Sequence, residues 1–333
     1  MKGMFLDLNP LVERDKINLR DFIPISIRTY QWSGKMWGFP YSGYPFMTFY
    51  NPQLFEEAGL VSPYALGDDW TWDAVAQAAR RLTILKSGET TPIQYGVQFV
   101  WYDPVRLGIW VHQSGGGFFD NPIDPKQAKF TSPEAIRAIT WVNDLTQAGL
   151  TSPTNNYDEL ITNTTAIILH GGTYVFGRQA FQPTPGQLSM PVGVARMPRG
   201  PVHNGTFFIS DAWMITATSK SQEAAWKWLK FIGMDAERAR RFAQLTGRLP
   251  TLIRALPDYV NLLPKGVLNG HTIVDATLAA NTGVGVLLSP VAKDIRASFR
   301  THMENVRQGT DSPEGALAKI QEEVTVQLAR LLQ

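Results

Sequence analysis

Apolar residues recur with a helical period in five segments of the chain. In TWDAVAQAARRL, Val75, Ala78, Ala79 and Leu82 follow a capping Thr71 and fall on one helical face. This spacing predicts an amphipathic helix. The same combination of cap, apolar stripe and stop residue predicts helices over residues 52–58, 132–149, 221–232 and 311–332.

Two of these helices have stripes that identify a core-facing side. We expect burial of Ala225, Trp228, Leu229 and Ile232 in the segment 221–232, and of Leu317, Ile320, Val324, Leu328 and Leu331 in the last helix.

Short apolar runs ending in turn residues lie between the helices and predict strands. They cover residues 46–50, 95–101, 165–170, 192–197 and 212–218. By composition, residues 155–163 and 181–191 are loops. Strands that alternate with helices indicate an α/β layered fold.

Composition narrows the function classes. A chain of 333 residues, 44% hydrophobic and 18% charged, is long enough for two globular domains. A net charge of +2 is too small to indicate nucleic-acid binding. The absence of cysteine excludes disulfides, thiolate metal sites and thiol catalysis.

The first residues lack the apolar core of a secretory signal, and the sequence contains no run of 18 apolar residues. As written, the sequence predicts a soluble chain without a targeting signal.

Catalytic motifs are missing from the sequence. The five histidines are scattered without an HExxH pattern, and no G-x-S-x-G segment occurs. Neither a metal nor a cofactor is therefore expected. The adjacent carboxylates Glu56–Glu57 and Asp68–Asp69 are better explained as solvated charge than as a glycosidase pair, which must flank a sugar.

Aromatic residues carry more information. Between Lys35 and Leu60, four aromatics within eight residues are interrupted by glycine and proline, a pattern that no regular amphipathic helix produces. Aromatics expected in loops are Trp37, Tyr41, Tyr44, Trp101, Trp110 and Tyr174. Such rings either pack in the core or form a flat apolar surface, which suits the C–H face of a sugar.

The stretch GKMWGFPYSGYPFMTFYNPQLFEEAGL resembles the extracellular solute-binding proteins of carbohydrate ABC importers, the maltose-binding-protein-like family 1. Four further motifs agree in the same order: AIILHGGTYVFG, SDAWMITATSKSQEAAWKWLKFI, TGRLPT and RQGTDSPEGALAKIQEEV. Each motif is loose by itself, whereas five in order are specific.

The resemblance implies a type II periplasmic-binding-protein fold, in which two α/β lobes enclose a ligand cleft and are joined by hinge crossovers. The crossovers would fall near 42–47, 208–213 and 281–289. Lobe one would comprise 1–43 plus 214–282, and lobe two 44–213 plus 283–333.

The resemblance also selects candidate ligand contacts. Tyr174 takes the place of the family's stacking tryptophan, and Asp211 departs from a glycine of the family pattern. Together with the loop aromatics, the candidate substrate-binding residues are Tyr41, Ser42, Tyr44, Trp101, Trp110, Gly172, Tyr174, Ser210, Asp211 and Arg248.

Family members carry a signal peptide and about two βαβ units before the equivalent of FLDLNPLVERD. We therefore expect an N-terminally truncated member with an incomplete lobe one. The family implies a monomer, periplasmic or extracellular and membrane-associated, that binds carbohydrate, partners an ABC permease and involves neither catalysis nor nucleic acid. Alternatives are a receptor for a glycerol phosphodiester or polyamine, a truncated non-binding paralogue, and a glycoside-active enzyme.

Overall fold

The computed structural model describes residues 3–331 and has alternating helices and strands, which confirms the α/β class. The α-helices are α1 Asn9–Arg14, α2 Pro24–Thr29, α3 Pro52–Glu57, α4 Pro63–Leu66, α5 Trp72–Leu82, α6 Pro104–Gln113, α7 Pro133–Gln147, α8 Asp158–Ile161, α9 Gln222–Gly233, α10 Ala236–Thr246, α11 Tyr259–Leu262, α12 His271–Leu278, α13 Ala292–Arg307 and α14 Pro313–Ala329. Short 3₁₀ helices cover Leu19–Asp21, Gly67–Asp69, Thr173–Gly177 and Ile253–Ala255.

The strands are β1 Gln31–Trp32, β2 Lys35–Met36, β3 Phe39–Pro45, β4 Met47–Tyr50, β5 Ile84–Leu85, β6 Pro92–Gln98, β7 Thr165–Gly171, β8 Gln187–Ala195, β9 Phe207–Trp213, β10 Leu249–Pro250, β11 Lys265–Leu268 and β12 Gly283–Val284. Apart from the β1–β2 hairpin, the described strands form two larger sheets. The smaller has the order β10-β3-β9-β12, and the larger has the order β11-β8-β4-β7-β6-β5.

The five predicted helices are present because their local signals are strong. Thr71, Ser132 and Ser312 each accept a hydrogen bond from a backbone N–H in the first turn of α5, α7 and α14. In α14, Leu317, Ile320, Val324 and Leu328 are buried as expected, whereas Leu331 is exposed.

The predicted stripe of α9 is only partly right. Leu229 is buried as expected, and Ala225 and Ile232 are half-buried, but Trp228 is 56% exposed and Trp226 is buried in its place. The indole Nε1–H of Trp226 donates a hydrogen bond to Asp15 Oδ2 at 2.8 Å, so a partner from the distant N-terminal segment fixes the buried face.

The strand predictions succeed where the strand is buried on both faces. β4 and β7 match residues 46–50 and 165–170, and both are completely buried. The prediction over 212–218 is wrong for most of its length, because β9 ends at Trp213 and lies earlier in the chain. The predicted loop 155–163 contains α8, and residues from 187 of the predicted loop 181–191 belong to β8.

The smaller sheet brings together the three segments expected to be crossovers. β3 pairs antiparallel with β9, and β12 pairs in parallel with Phe207 and Phe208 of β9. β4 follows β3 after one residue but belongs to the larger sheet, so the chain passes between the sheets at Phe46. The proposed lobe division separates β11 from β8, its pairing partner in the larger sheet.

Among the described residues, three apolar cores support the sheets, and one of them is shared, because it joins Phe49 and Ile168 of the larger sheet to Phe208 and Leu249 of the smaller one. The larger core lies among α5, α6, α7, α13 and α14, beside the larger sheet. A smaller core packs β3 against α9 and the N-terminal segment. Within residues 3–331, no helix combines the length and the apolar character that crossing a membrane requires.

Candidate ligand-binding site

Two tyrosines meet where the two sheets join. Tyr44 lies near the end of β3, and Tyr174 lies in the 3₁₀ helix after β7. Their ring centroids are 4.8 Å apart, with an angle of 64° between the planes. Gly172 permits this approach, because a Cβ at that position would lie 2.0 Å from Cδ2 of Tyr44.

Tyr157 extends this aromatic pair. Its hydroxyl is hydrogen-bonded to the Tyr174 hydroxyl, and its ring centroid lies 5.7 Å from that of Tyr174. Burial raises the pKa of Tyr44 and of Tyr157. Both phenols are therefore protonated at neutral pH and can donate as well as accept hydrogen bonds. Sequence reasoning missed Tyr157, which lies in a segment that its composition indicated to be a loop.

An ion pair lies beside the tyrosines. The guanidinium of Arg248 pairs with Asp211, and its Cζ lies 5.9 Å from the Tyr44 ring centroid and 6.0 Å from that of Tyr174. Ser42 Oγ donates a hydrogen bond to Asp211 Oδ2 at 3.2 Å.

Strand register explains why these polar residues meet. Ser42 is opposite Asp211 in the β3–β9 pair, and Leu249 of β10 is opposite Gly43 on the other side of β3. Arg248 immediately precedes β10, so its side chain emerges next to the same part of β3. Three segments that are distant in sequence thus place a hydroxyl, a carboxylate and a guanidinium together.

Arg106 is a second guanidinium at the site, which sequence reasoning missed. It lies close to the hydroxyl groups of Tyr157 and Tyr174. Its Nη1 forms an ion pair with Asp103 Oδ2 at 2.6 Å. Its Nε is buried and has no hydrogen-bond partner among the described residues. The available signal was local: Asp103 caps α6, and an arginine three residues later can pair with it.

Tyr41 and Ser210 lie on the same strand pair. The ring of Tyr41 stacks on Trp213 with a centroid distance of 4.9 Å, and burial raises its pKa. Ser210 is buried, and its Oγ has no hydrogen-bond partner within residues 3–331. Its backbone carbonyl accepts a hydrogen bond from the Tyr30 hydroxyl.

The two candidate tryptophans do not join this group. Trp110, expected in a loop, lies in α6 and is 2% exposed. Its ring packs against Trp72, Phe99 and Trp141 at centroid distances of 6.1, 5.5 and 5.1 Å. Trp101 is 6% exposed in the same core. Trp110 is a core residue because α6 is enclosed by other elements, and Trp101, which precedes α6, is buried in the same core.

His170 adds a buried polar group behind Tyr157. Their ring centroids are 4.9 Å apart, and the Nε2–H of His170 donates to Gln98 Oε1 at 2.7 Å. Burial, together with the charge of Arg106, lowers the pKa of His170 to about 3. The imidazole is therefore neutral at physiological pH.

Residues 1–238 match the family of bacterial extracellular solute-binding proteins. The chain belongs to this family. Among curated proteins, a binding protein of Brucella abortus is 26% identical over 231 residues, which cover 65% of this chain. The chain spans about half, 51%, of the length of that relative.

Solved structures show the same fold. A substrate-binding protein of Listeria monocytogenes in complex with cycloalternan matches with a TM-score of 0.83 and 22% identity, covering 98% of this chain and 81% of the other. A Thermotoga lettingae solute-binding protein bound to α-D-tagatose matches with a TM-score of 0.78 and 20% identity, over the same shares of the two chains. The maltodextrin-binding MalE domain of Bdellovibrio bacteriovorus bound to maltotriose matches with a TM-score of 0.76 and 17% identity. This match again covers 98% of this chain and 81% of the other. These likenesses confirm the expected periplasmic-binding-protein type II fold.

Proposed function

We propose that this chain is the substrate-binding component of an ABC sugar importer and binds a mono- or oligosaccharide at the Tyr44–Tyr174 site. The observation that carries the proposal is the contact of two tyrosine rings beside the Arg248–Asp211 pair at the junction of the two sheets. The ligands named for the Listeria, Bdellovibrio and Thermotoga proteins, all carbohydrates, support it.

The chemistry of the site suits a saccharide. A sugar ring presents an apolar C–H face and a rim of hydroxyls, and aromatic rings match the face with few rotatable bonds to immobilise. The carboxylate of Asp211 can accept hydrogen bonds from hydroxyls, and the guanidinium groups of Arg106 and Arg248 can donate to them. Tyrosine hydroxyls can do both.

The site joins the two sheets, and this favours a binding mechanism based on closure. Tyr44 and Asp211 belong to the smaller sheet, while Tyr174 follows a strand of the larger one. We propose that a saccharide contacts both sheets at once and so favours the closed arrangement, which a membrane permease then recognises. The protein would act as a monomer outside the cytoplasmic membrane.

We propose binding without turnover. Glycoside hydrolases place two carboxyl groups on either side of the glycosidic bond, one of them as a proton donor. Here the carboxylate of Asp211 is engaged by Arg248 and Ser42, an arrangement that suits a fixed acceptor of hydrogen bonds.

Phosphorylated solutes are the second candidate, because Arg106 and Arg248 both lie at the site and guanidinium groups bind phosphate well. Arg178 lies nearby but is already paired with Asp158, and its Cζ lies 5.8 Å from the Tyr157 ring centroid. The backbone of Arg199 is hydrogen-bonded to the backbone of Trp70 and of Trp72, in another part of the fold.

A thermal-shift screen tests the proposal. Mono- and oligosaccharides are compared with glycerol phosphodiesters, polyamines and inorganic phosphate. A ligand that binds the folded state raises its melting temperature by mass action. A shift of several degrees with a saccharide supports the proposal. A shift with phosphate esters alone would identify the second candidate, and release of reducing sugar from a bound oligosaccharide would contradict binding without turnover.

A further inference from the structure

A cavity of about 520 Å³ lies away from the tyrosine site. One side is formed by Arg28 of α2 and Gln31 of β1, and the other by Val105 and Gly108 of α6. The glycine-rich loop 116–123 completes its wall, together with Gly283, Val284, Val286 and Leu287. Its volume falls within the range of about 300–1,000 Å³ that is typical of small-molecule sites.

Helix α6 separates this cavity from the tyrosine site. Val105 lines the cavity, while the next residue, Arg106, points to Tyr157 and Tyr174. Successive side chains on an α-helix are about 100° apart, so the two residues face different directions. None of the sequence-predicted site residues lines the cavity among the described residues.

Most of the cavity wall is apolar. The side chains that supply this character include Val105, Phe118, Phe207, Val286 and Leu287. Gly108 leaves room for the Phe207 ring, since a Cβ there would lie 3.3 Å from its Cε2. A ligand of this cavity must therefore have an apolar part, which is transferred favourably from water to the apolar wall.

Arg28 is the charged side chain of the cavity wall that lacks a partner among the described residues. No carboxylate of residues 3–331 lies within ion-pair distance of Arg28, which is exposed at the rim. The carboxylate of Asp120 also lines the cavity and keeps its negative charge, but its Oδ1 is held by hydrogen bonds from the backbone N–H groups of Lys126 and Gln127, both at 3.0 Å. The Nε2–H of His112 already donates a hydrogen bond to the backbone carbonyl of Asn281 at 2.9 Å, so it is not free to bind a ligand.

We propose that this cavity is a second ligand site, which binds a small carboxylate with an apolar body. The apolar part lies against Phe118, Phe207 and Val286, and the carboxylate pairs with the guanidinium of Arg28. Gln31, beside Arg28, offers an amide N–H to the same carboxylate. The bound molecule bridges α2 and β1 on one side to α6 on the other.

Isothermal titration calorimetry with 4-phenylbutyrate tests the site, and 4-phenylbutyramide serves as the uncharged probe of the same shape. The wild-type chain is expected to bind the acid at least about threefold more tightly than the amide, the size expected for an exposed ion pair. Arg28→Gln should remove this difference. Arg20→Gln, an exposed arginine of the same segment that does not line the cavity, is the matched control and should leave it unchanged.

Two further variants locate the probe. Val286→Phe fills the cavity and should weaken binding of both acid and amide. Tyr174→Ala alters only the tyrosine site and should leave acid binding unchanged, so the result does not depend on what that site binds. The proposal is overturned by equal affinity for acid and amide, by full acid binding in Arg28→Gln, by loss of binding in Tyr174→Ala, or by no binding at millimolar concentration.

Discussion

The ring of Tyr44 meets the ring of Tyr174 edge-on, with their centroids 4.8 Å apart. One residue belongs to a strand of the smaller sheet, and the other to the turn after β7 of the larger sheet. The contact therefore links the two sheets at the point where the chain passes between them. It depends on Gly172, which leaves space for the Tyr44 ring.

Substitution of Gly172 by alanine should destabilise the protein. The added methyl group would lie 2.0 Å from Cδ2 of Tyr44, so the ring must move out of its buried position. Overpacking of this kind costs about 1–3 kcal/mol. Urea unfolding measures the loss in free energy of unfolding.

Gly233→Ala is the control for this substitution, because a Cβ there meets its nearest atom at 3.8 Å. Its free energy of unfolding should change by less than about 1 kcal/mol. Equal stability of Gly172→Ala and wild type would show that the Tyr44–Gly172 contact is not tight.

Arg248 and Asp211 should act as one unit in ligand binding. Each of Arg248→Gln and Asp211→Asn is expected to lower saccharide affinity about tenfold, because each removes a charged hydrogen-bonding group. In the double variant, the fold-loss of saccharide affinity should be smaller than the product of the two single losses, since the first substitution already breaks the ion pair. Calorimetric titration of the four proteins measures this coupling.

Arg238→Gln is the matched control for the Arg248 substitution. Its guanidinium pairs with Asp235 on the exposed surface of α10, away from the tyrosines. Saccharide affinity should be unchanged in this variant. Strictly additive effects of the Arg248 and Asp211 substitutions would show that the two groups contact the ligand independently.

The protonation of His170 should make the fold sensitive to mild acid. Its pKa is about 3 in the folded state, because burial disfavours the charged imidazole, and about 6.5 in the unfolded chain. Below pH 6.5 the unfolded state binds a proton that the folded state does not, so stability is lost as the pH falls toward 3. The loss at pH 5 is about 2 kcal/mol.

Urea unfolding of wild type and His170→Gln at pH 7.5 and pH 5.0 measures this contribution. The wild type should lose about 2 kcal/mol more than the variant over this interval. Carboxylates titrate mainly below this range and affect both proteins alike. An equal loss in the two proteins would contradict a neutral, buried His170.

The sequence was a good guide wherever local signals decide the structure. Thr71 and Ser132 cap their helices as expected, since an N-cap depends on residues only three positions away. Trp228 was wrongly expected inside because the period of α9 is compatible with two neighbouring stripes. The choice between them depends on the Trp226–Asp15 contact, which joins residues 211 positions apart.

The candidate site could be predicted only in part for the same reason. Ser42, Asp211 and Arg248 were identified through motifs, but their contact arises from the register of three distant strands. Arg106 carries no motif, and its role depends on how α6 is oriented. Trp110 was misplaced because a tryptophan near glycines resembles a surface residue until α6 is seen to be enclosed.

The most direct test of the central claim is a calorimetric titration of the wild type, Tyr174→Ala, Tyr174→Phe and Trp110→Phe with the saccharide that gives the largest thermal shift. Tyr174→Ala is expected to lower saccharide affinity about tenfold or more, because it removes a ring from the sugar-binding surface. Tyr174→Phe should keep most of the affinity. Trp110→Phe should lose stability but bind as wild type does. Unchanged saccharide affinity in Tyr174→Ala, or a larger loss of affinity in Trp110→Phe, would contradict sugar binding at the Tyr44–Tyr174 site.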